Sequence, residues 1–450
     1  MLSENDNDLM CQVGPGTPMG AFIREYWIPA VMSSELPAGD TPPMRLRLLG
    51  EDLIAFRATS GDVGLVANAC PHRGASLFFG RNEEDGLRCV YHGWKFDVTG
   101  NCVDMPSEPA ESNFKSKVHA KAYPCQERNG IVWTYMGSRT IPPPLPRLPG
   151  NLSDVFRVTK SVRDCSYMQA LEGDIDTVHW GFLHAGHVRP DECDPGSTDY
   201  YATRIRNATI QTEVHEAGTT YGAFRPAEAD SDYWRIGHFL LPFYTYNAPG
   251  VLTRKFGCTA WVPIDDDHMM VWNIATPLPE SVTSQPGIGG LKMNLQARRG
   301  GGGQNDRRRL TQPDTTDWIG KFRSVQSLDN DYLIDRDAQR INEIYSGIPN
   351  GAEPQDRGMQ ESMGPIYDRT QEHLGTSDGM VIVTRRKLLN ACKAFAETGA
   401  PPPGVDNPDI YWMFSGGALV PKGVNGIEYT RDVLYGRAPA IEVMVGGGGG

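Results

Sequence analysis

The chain has 450 residues, 39% of them hydrophobic, and a net charge of −12 at pH 7. That length predicts two or more domains with ordinary globular cores, and the acidic balance argues against a nucleic-acid partner. No apolar run reaches the roughly 18 residues of a membrane span, and the acidic, polar start is not a signal peptide, so a cytoplasmic protein is expected.

The first 40 residues read as an N-terminal segment. Over residues 41–140 short strands are predicted at Met44 to Leu49, Asp52 to Ala58, Gly64 to Ala69, Leu87 to Tyr91, Trp94 to Val98, Lys121 to Pro124 and Ile131 to Tyr135. Turn residues separate them, such as Gly50-Glu51 and Arg128-Asn129-Gly130. Two tips of this all-β unit carry Cys70-Pro-His72-Arg-Gly and Cys89-Val-Tyr-His92-Gly-Trp. Thiolates and imidazoles in two converging loops make a metal site. A Cys2His2 zinc site uses the same ligand types, but finger-type zinc sites pair Cys with Cys and His with His. Alternating Cys-x-His and Cys-x2-His fits a [2Fe–2S] centre in which two His replace two Cys on one iron. Each pair then gives one ligand to each iron. The other seven Cys (11, 102, 125, 165, 193, 258 and 392) are scattered and read as reduced thiols.

Residues 141–158, rich in Pro, form a connector. Beyond it Leu171, Ile175, Val178 and Phe182 trace a helical apolar stripe, with Asp176 and His179 one turn apart on another face. His184 lies off that face on a regular helix, so the helix is predicted to distort or end near Gly181 through a π-type turn that lets both imidazoles reach one ion. Two neighbouring His plus a remote carboxylate make the facial triad of non-haem Fe(II) oxygenases, which leaves positions open for O2. Candidate carboxylates are Asp331, Asp335, Asp356 and Asp368; His187 reads as a bystander.

Antiparallel strands are predicted at Tyr201 to Val214, Thr219 to Arg225, Tyr233 to Pro242 and Leu252 to Val262, with Asp265-Asp-Asp-His268 as a hairpin tip. Arg204, Arg225 and Arg235 lie on these strands, where they could line a cavity and would bind a carboxylate bidentately. Tyr244 and Tyr246 are candidates for lining a pocket or a core. Residues 277–312, Gly- and Arg-rich, read as a flexible insertion or lid. Ser377-Asp378 looks like the cap of a helix running to Thr398 and stopped by Gly399. Residues 441–450 read as a disordered tail.

Cys-Pro-His-Arg-Gly at 70–74, Tyr-His-Gly-Trp at 91–94 and Asp176-x2-His179-x4-His184 together resemble the Rieske non-haem iron oxygenases. Gln360 to Gly375 and Asp331-Tyr-Leu-Ile-Asp-Arg336 resemble the phthalate dioxygenase branch. The resemblance implies an α+β chain, with an N-terminal all-β Rieske domain at 41–140 and a helix-grip catalytic domain at 159–440, an antiparallel sheet around a long helix. It implies cluster ligands Cys70, His72, Cys89 and His92, and iron ligands His179, His184 and, from an Asp-x4-Glu pattern, Asp356. It implies that Asp176 bridges His179 to His92 or His72 of a neighbouring subunit. The chain would be the oxygenase component of a homotrimer or hexamer, inserting oxygen from O2 into an aromatic, carboxylated substrate. NADH electrons would come from a separate reductase with flavin and ferredoxin-type domains, because no dinucleotide fingerprint or four-Cys ferredoxin set is present here. Monooxygenation and O- or N-demethylation use the same iron site. An electron carrier lacking the second iron, or a zinc-stabilised binding protein, are the rival classes.

Overall fold

The computed structural model describes residues 2–109, 111–248, 250–252, 257–276, 291 and 310–437. Nearly all of the expected insertion, and the whole tail, lie outside the described residues. Two N-terminal helices come first. Helix α1 (Glu4–Cys11) starts where the Ser3 hydroxyl accepts from the Asp6 amide, and α2 (Pro18–Arg24) starts at Thr17 with Pro at its first position.

The unit that carries the two Cys/His loops is built from short antiparallel strands. Strands β2 (Met44–Leu48), β3 (Glu51–Arg57), β4 (Val63–Ala67) and β9 (Ala122–Tyr123) form one sheet. A second sheet contains β5 (Arg81–Glu83), β6 (Gly86–Arg88), β7 (Lys95–Phe96) and β8 (Cys102–Asp104). The strand expected from Leu87 to Tyr91 stops at Arg88, because Cys89 already belongs to a loop. A third sheet pairs β1 (Trp27–Met32) and β10 (Cys125–Arg128) with β11 (Ile131–Tyr135). The unit thus draws a strand from before residue 41. The β10–β11 hairpin turns on Asn129 and Gly130, both at positive φ, as a two-residue primed turn requires. Ile54, Phe56, Leu77, Leu87 and Phe96 make its separate small core.

The large sheet runs in the order β12 (Arg157–Arg163), β18 (Met269–Ala275), β17 (Gly257–Pro263), β16 (Tyr244–Tyr246), β15 (Ser231–Leu240), β14 (Gly218–Pro226), β13 (Thr209–Val214), with β19 (Gly416–Pro421) also paired to β15. The single strand expected from Tyr201 to Val214 is instead helix α4 (Thr198–Arg204) followed by β13. The Ser197 side chain caps α4 by accepting from the Tyr200 amide, and Tyr201 and Ala202 are buried together. A local cap therefore outweighs the strand propensity of the Tyr and Thr residues. Arg204 sits on this helix, not on a strand, and donates to the Ala227 carbonyl.

Three further helices matter: α3 (Tyr167–Ile175), α5 (Arg336–Arg340) and α6 (Ala352–Glu361). The 20-residue α7 (Gly379–Thr398) packs across β13 and β14 and carries α1 and α2 on its other side. Gly399 ends it in the left-handed region at φ 65°. Its start differs from expectation: Asp378 makes no cap bond within the helix and accepts from the Gly375 amide instead. The architecture is an antiparallel sheet with a long helix across it, preceded by the small β unit, the expected α+β class.

Candidate metal centres

The two Cys/His loops have the same backbone construction. The Cys70 amide donates to the Ala75 carbonyl and the Gly74 amide to the Cys70 carbonyl, at 2.8 and 2.9 Å; Cys89, Trp94 and Gly93 repeat both bonds at the same lengths. Gly74 and Gly93 both stand at positive φ, 78° and 81°, and a side chain at Gly93 would collide with Pro106. Each loop is a tight bracket that closes only on glycine. The brackets bury both thiols and bring the His72 and His92 rings to 4.4 Å between centroids. Trp94 stacks on His72 at 4.2 Å. Burial, with the neighbouring Cys89, pushes the Cys70 thiol up to about 11, and His72 Nδ1 is buried with no protein partner. Two crowded thiols and an orphaned imidazole nitrogen are a donor set that a positively charged iron–sulfur group satisfies, so the residues present fit such a cluster.

The second centre forms where α3 stops. Asp176 leaves the helix in extended geometry, earlier than the Gly181 region expected, so Asp176 and His179 do not share a helix face. Trp180–His184 then forms the π-helical turn expected from the spacing. His179 Nε2 and His184 Nε2 lie 3.1 Å apart, and Asp356 Oδ1 is 3.3 and 3.0 Å from them. Asp356 projects from within α6. Among the described residues these three form a cluster able to hold one metal ion. Two imidazole nitrogens and one carboxylate oxygen facing a common point are the donor set of a facial triad, so the group fits iron. Burial resists charge here, but hydrogen bonds from both imidazoles hold the Asp356 carboxyl well below the ordinary range. Against the same burial, Asp176 and Asp356 raise His179 to about 10. The site is poised for a cation.

The other carboxylate candidates lie outside this cluster. Asp335 caps α5 through the Ala338 amide, Asp368 accepts from Thr370, and Asp331 sits at positive φ in the 3-10 turn Leu328–Leu333. His187 is not part of the triad. Asp265 and His268 bond to each other at a hairpin tip. Tyr244 and Tyr246 are fully buried against Tyr411, and Tyr244 also lines a small cavity with Trp27 and Pro143.

Sequence reasoning missed two groups. Gln355 places Oε1 2.8 Å from His184 Nδ1; a Gln beside an Asp carries no signal in sequence. Asp174 is half-buried and accepts from Thr245 and Asn247, which only the sheet brings near. Arg225 and Arg235 lie on one face of the β14–β15 pair, where Arg225 opposes Tyr233 and Arg235 opposes Ala223. The Arg235 guanidinium is 5.2 Å from the ring centre of Trp180, the residue after His179.

The Rieske [2Fe–2S] domain family matches residues 26–124, and the family described as LigXa C-terminal domain like matches residues 298–441. The 3-chlorobenzoate-3,4-dioxygenase oxygenase subunit of Comamonas testosteroni is 42% identical over 94% of this chain and 97% of its own length. The chain belongs to the Rieske non-haem iron oxygenases. Two other relatives of this oxygenase are the phthalate 4,5-dioxygenase oxygenase subunit of Pseudomonas putida, 36% identical over 88% of this chain and 87% of its own, and the 5,5'-dehydrodivanillate O-demethylase oxygenase subunit of Sphingobium sp., 31% identical over 91% and 85%. Dicamba monooxygenase bound to dicamba shares the fold, with a TM-score of 0.54 at 16% identity over 84% of this chain and 99% of that one. The oxygenase is therefore an oxidoreductase and the terminal component of a multicomponent system, using a Rieske [2Fe–2S] cluster, a mononuclear iron and O2. Among the described residues no helix is long and apolar enough to cross a membrane.

Proposed function

We propose that this oxygenase inserts oxygen into an aromatic carboxylate. Cys70, His72, Cys89 and His92 hold the cluster, and His179, His184 and Asp356 hold the iron. NADH electrons reach it through a separate reductase with flavin and ferredoxin-type domains. The observation that carries the substrate class is the state of two arginines. Arg225 is 3% exposed, and its Nε and Nη2 are buried without a partner, as is Nε of Arg235. Burial pushes Arg225 down to about 10, with the Arg235 charge adding to the fall and Tyr233 opposing it. Buried guanidinium donors left open cost free energy that a bound carboxylate repays through charge-assisted bonds. The names of two relatives, for 3-chlorobenzoate and phthalate, carry aromatic carboxylates.

The iron supplies the activation of O2; the chain positions and protects. Arg225 and Arg235 anchor the carboxylate and so turn the ring toward the His179–Asp356 side, while the Trp180 indole beside Arg235 offers an apolar wall. Asp176 faces His179 Nδ1 at 3.6 Å and anchors its own oxygen on the Val178 amide, which keeps the proton on Nδ1 and leaves Nε2 for the metal. Beside His92 the side chains Val90 and Tyr91 are well exposed, which supports docking of the cluster tip on a second copy, in a trimer or hexamer, where Asp176 can reach a cluster imidazole.

The test is turnover of benzoate- and phthalate-type acids with NADH, a reductase and 18O2. Oxygenated product is expected from the acids and not from their amides. Arg225→Met and Arg235→Met should each raise KM by about 30-fold, the effect of losing about 2 kcal/mol from a charged hydrogen bond. Equal turnover of acid and amide would overturn the substrate assignment. The demethylase relative supports a second reading, which formaldehyde release from methoxybenzoates distinguishes from diol formation.

A further inference from the structure

Gln355 and Asp356 are consecutive on α6, yet they meet opposite edges of one imidazole. Asp356 Oδ1 lies 3.0 Å from His184 Nε2, and Gln355 Oε1 lies 2.8 Å from His184 Nδ1. A glutamine amide can face a histidine with either its oxygen or its nitrogen, and the neighbours decide which. Here Gln355 Nε2 donates to the Ile348 carbonyl at 3.0 Å within a buried setting. The reversed amide would set oxygen against oxygen at Ile348. The oxygen therefore faces His184, the imidazole donates from Nδ1, and Nε2 is the nitrogen turned toward Asp356 and His179. The two histidines are supported differently: His179 by a carboxylate at 3.6 Å, His184 by a neutral amide at 2.8 Å that is itself fixed from behind.

We infer that Gln355 is a positioning residue, which keeps a proton on His184 Nδ1 and fixes the ring plane, so that Nε2 is the nitrogen presented to a metal. The inference rests on the assignment of His184 as an iron ligand. It is independent of the Asp176 contact and of the substrate class. Groups that orient a ligating imidazole typically change metal affinity when removed, and an acceptor of either charge can do the work.

The experiment uses the full-length protein with its cluster intact and the mononuclear site emptied by a mild chelator. Fe(II) binding is measured by equilibrium dialysis with metal analysis, and the filled site is characterised by EPR of its nitric-oxide adduct. Gln355→Leu removes the acceptor and should weaken Fe(II) binding about 10- to 100-fold and broaden the adduct signal, with cluster content unchanged. Gln355→Glu keeps an acceptor toward Nδ1 but sets its second oxygen against the Ile348 carbonyl, so it should recover part of the lost binding and of the signal sharpness relative to the Leu variant. Wild-type affinity and spectrum in Gln355→Leu would overturn the inference. So would a Gln355→Glu protein as defective as the Leu variant, since packing alone would then explain both. His184→Ala is the control: if it too retains iron, the ligand assignment fails; if it alone loses iron, only the role of Gln355 fails.

Discussion

At the scale of single residues, charge placement separates catalysis from stability within one short helix and its exit. Asp176, past the end of α3, is partly exposed and touches His179. Asp176→Asn should retain cluster and iron and lose roughly tenfold or more of its turnover; metal analysis beside NADH-coupled activity checks it, and loss of iron in step with activity would make Asp176 a binding residue instead. One turn earlier, Glu172 lies between Arg369 and Arg385, at 3.1 and 2.7 Å, with Arg369 fully buried. Burial raises the Glu172 carboxyl, but the two arginines outweigh it and hold the group below its ordinary 4.5. A carboxyl lowered by folding stabilises above the unfolded pKa, and that stability is lost as pH falls through the folded one. Glu172→Gln should cost about 3 kcal/mol at neutral pH by leaving buried Arg369 without a carboxylate and Arg385 with Glu372 alone. In urea melts the gap between wild type and variant should be widest above pH 4.5 and shrink below it.

At the scale of elements, the iron site depends on how closely α3 and α6 approach. A Cβ on Gly173 would strike the Gln360 amide. Gln360 cannot swing away freely, because its side chain accepts from buried Arg163 and its carbonyl accepts from Gln169. Gly→Ala inside a helix ordinarily stabilises by about 1 kcal/mol. Gly173→Ala should instead lower the melting temperature and the iron content together, which differential scanning calorimetry and metal analysis will show. This dependence explains what was legible in the sequence. The cluster loops could be read because both pairs of ligands are local and their glycines enforce the bracket. The π turn at 180–184 was legible because a five-residue His spacing misfits a regular helix. Asp356 needed a pattern borrowed from resemblance, since nothing within the chain ties residue 356 to residue 179 except packing. Gln355 and Asp174 were invisible for the same reason: their partners are set by tertiary contact. Arg204 was misplaced because Tyr and Thr favour strands until a Ser cap starts a helix.

For the whole molecule, the small core around Cys70 and Cys89 and the large core beside the His179 site are separate. If the cluster of one subunit serves the iron of its neighbour, two inactive proteins should complement. Cys89→Ala, lacking the cluster, and His179→Ala, lacking the iron, should regain activity when co-expressed and purified as mixed oligomers, up to about a quarter of wild type from random assortment in a ring. Mixed oligomers with no recovered activity would place electron transfer within one chain.

The matching brackets at Cys70–Ala75 and Cys89–Trp94 bear on a property of another kind. Both thiols and both imidazoles are tied to short loops whose backbone bonds are already satisfied, so adding an electron to the cluster leaves the surrounding chain little to rearrange. The reorganisation energy contributed by the protein is accordingly small. Electron delivery should then show a shallow temperature dependence, and a glycine-to-alanine change at position 93 should steepen it even where the cluster still assembles.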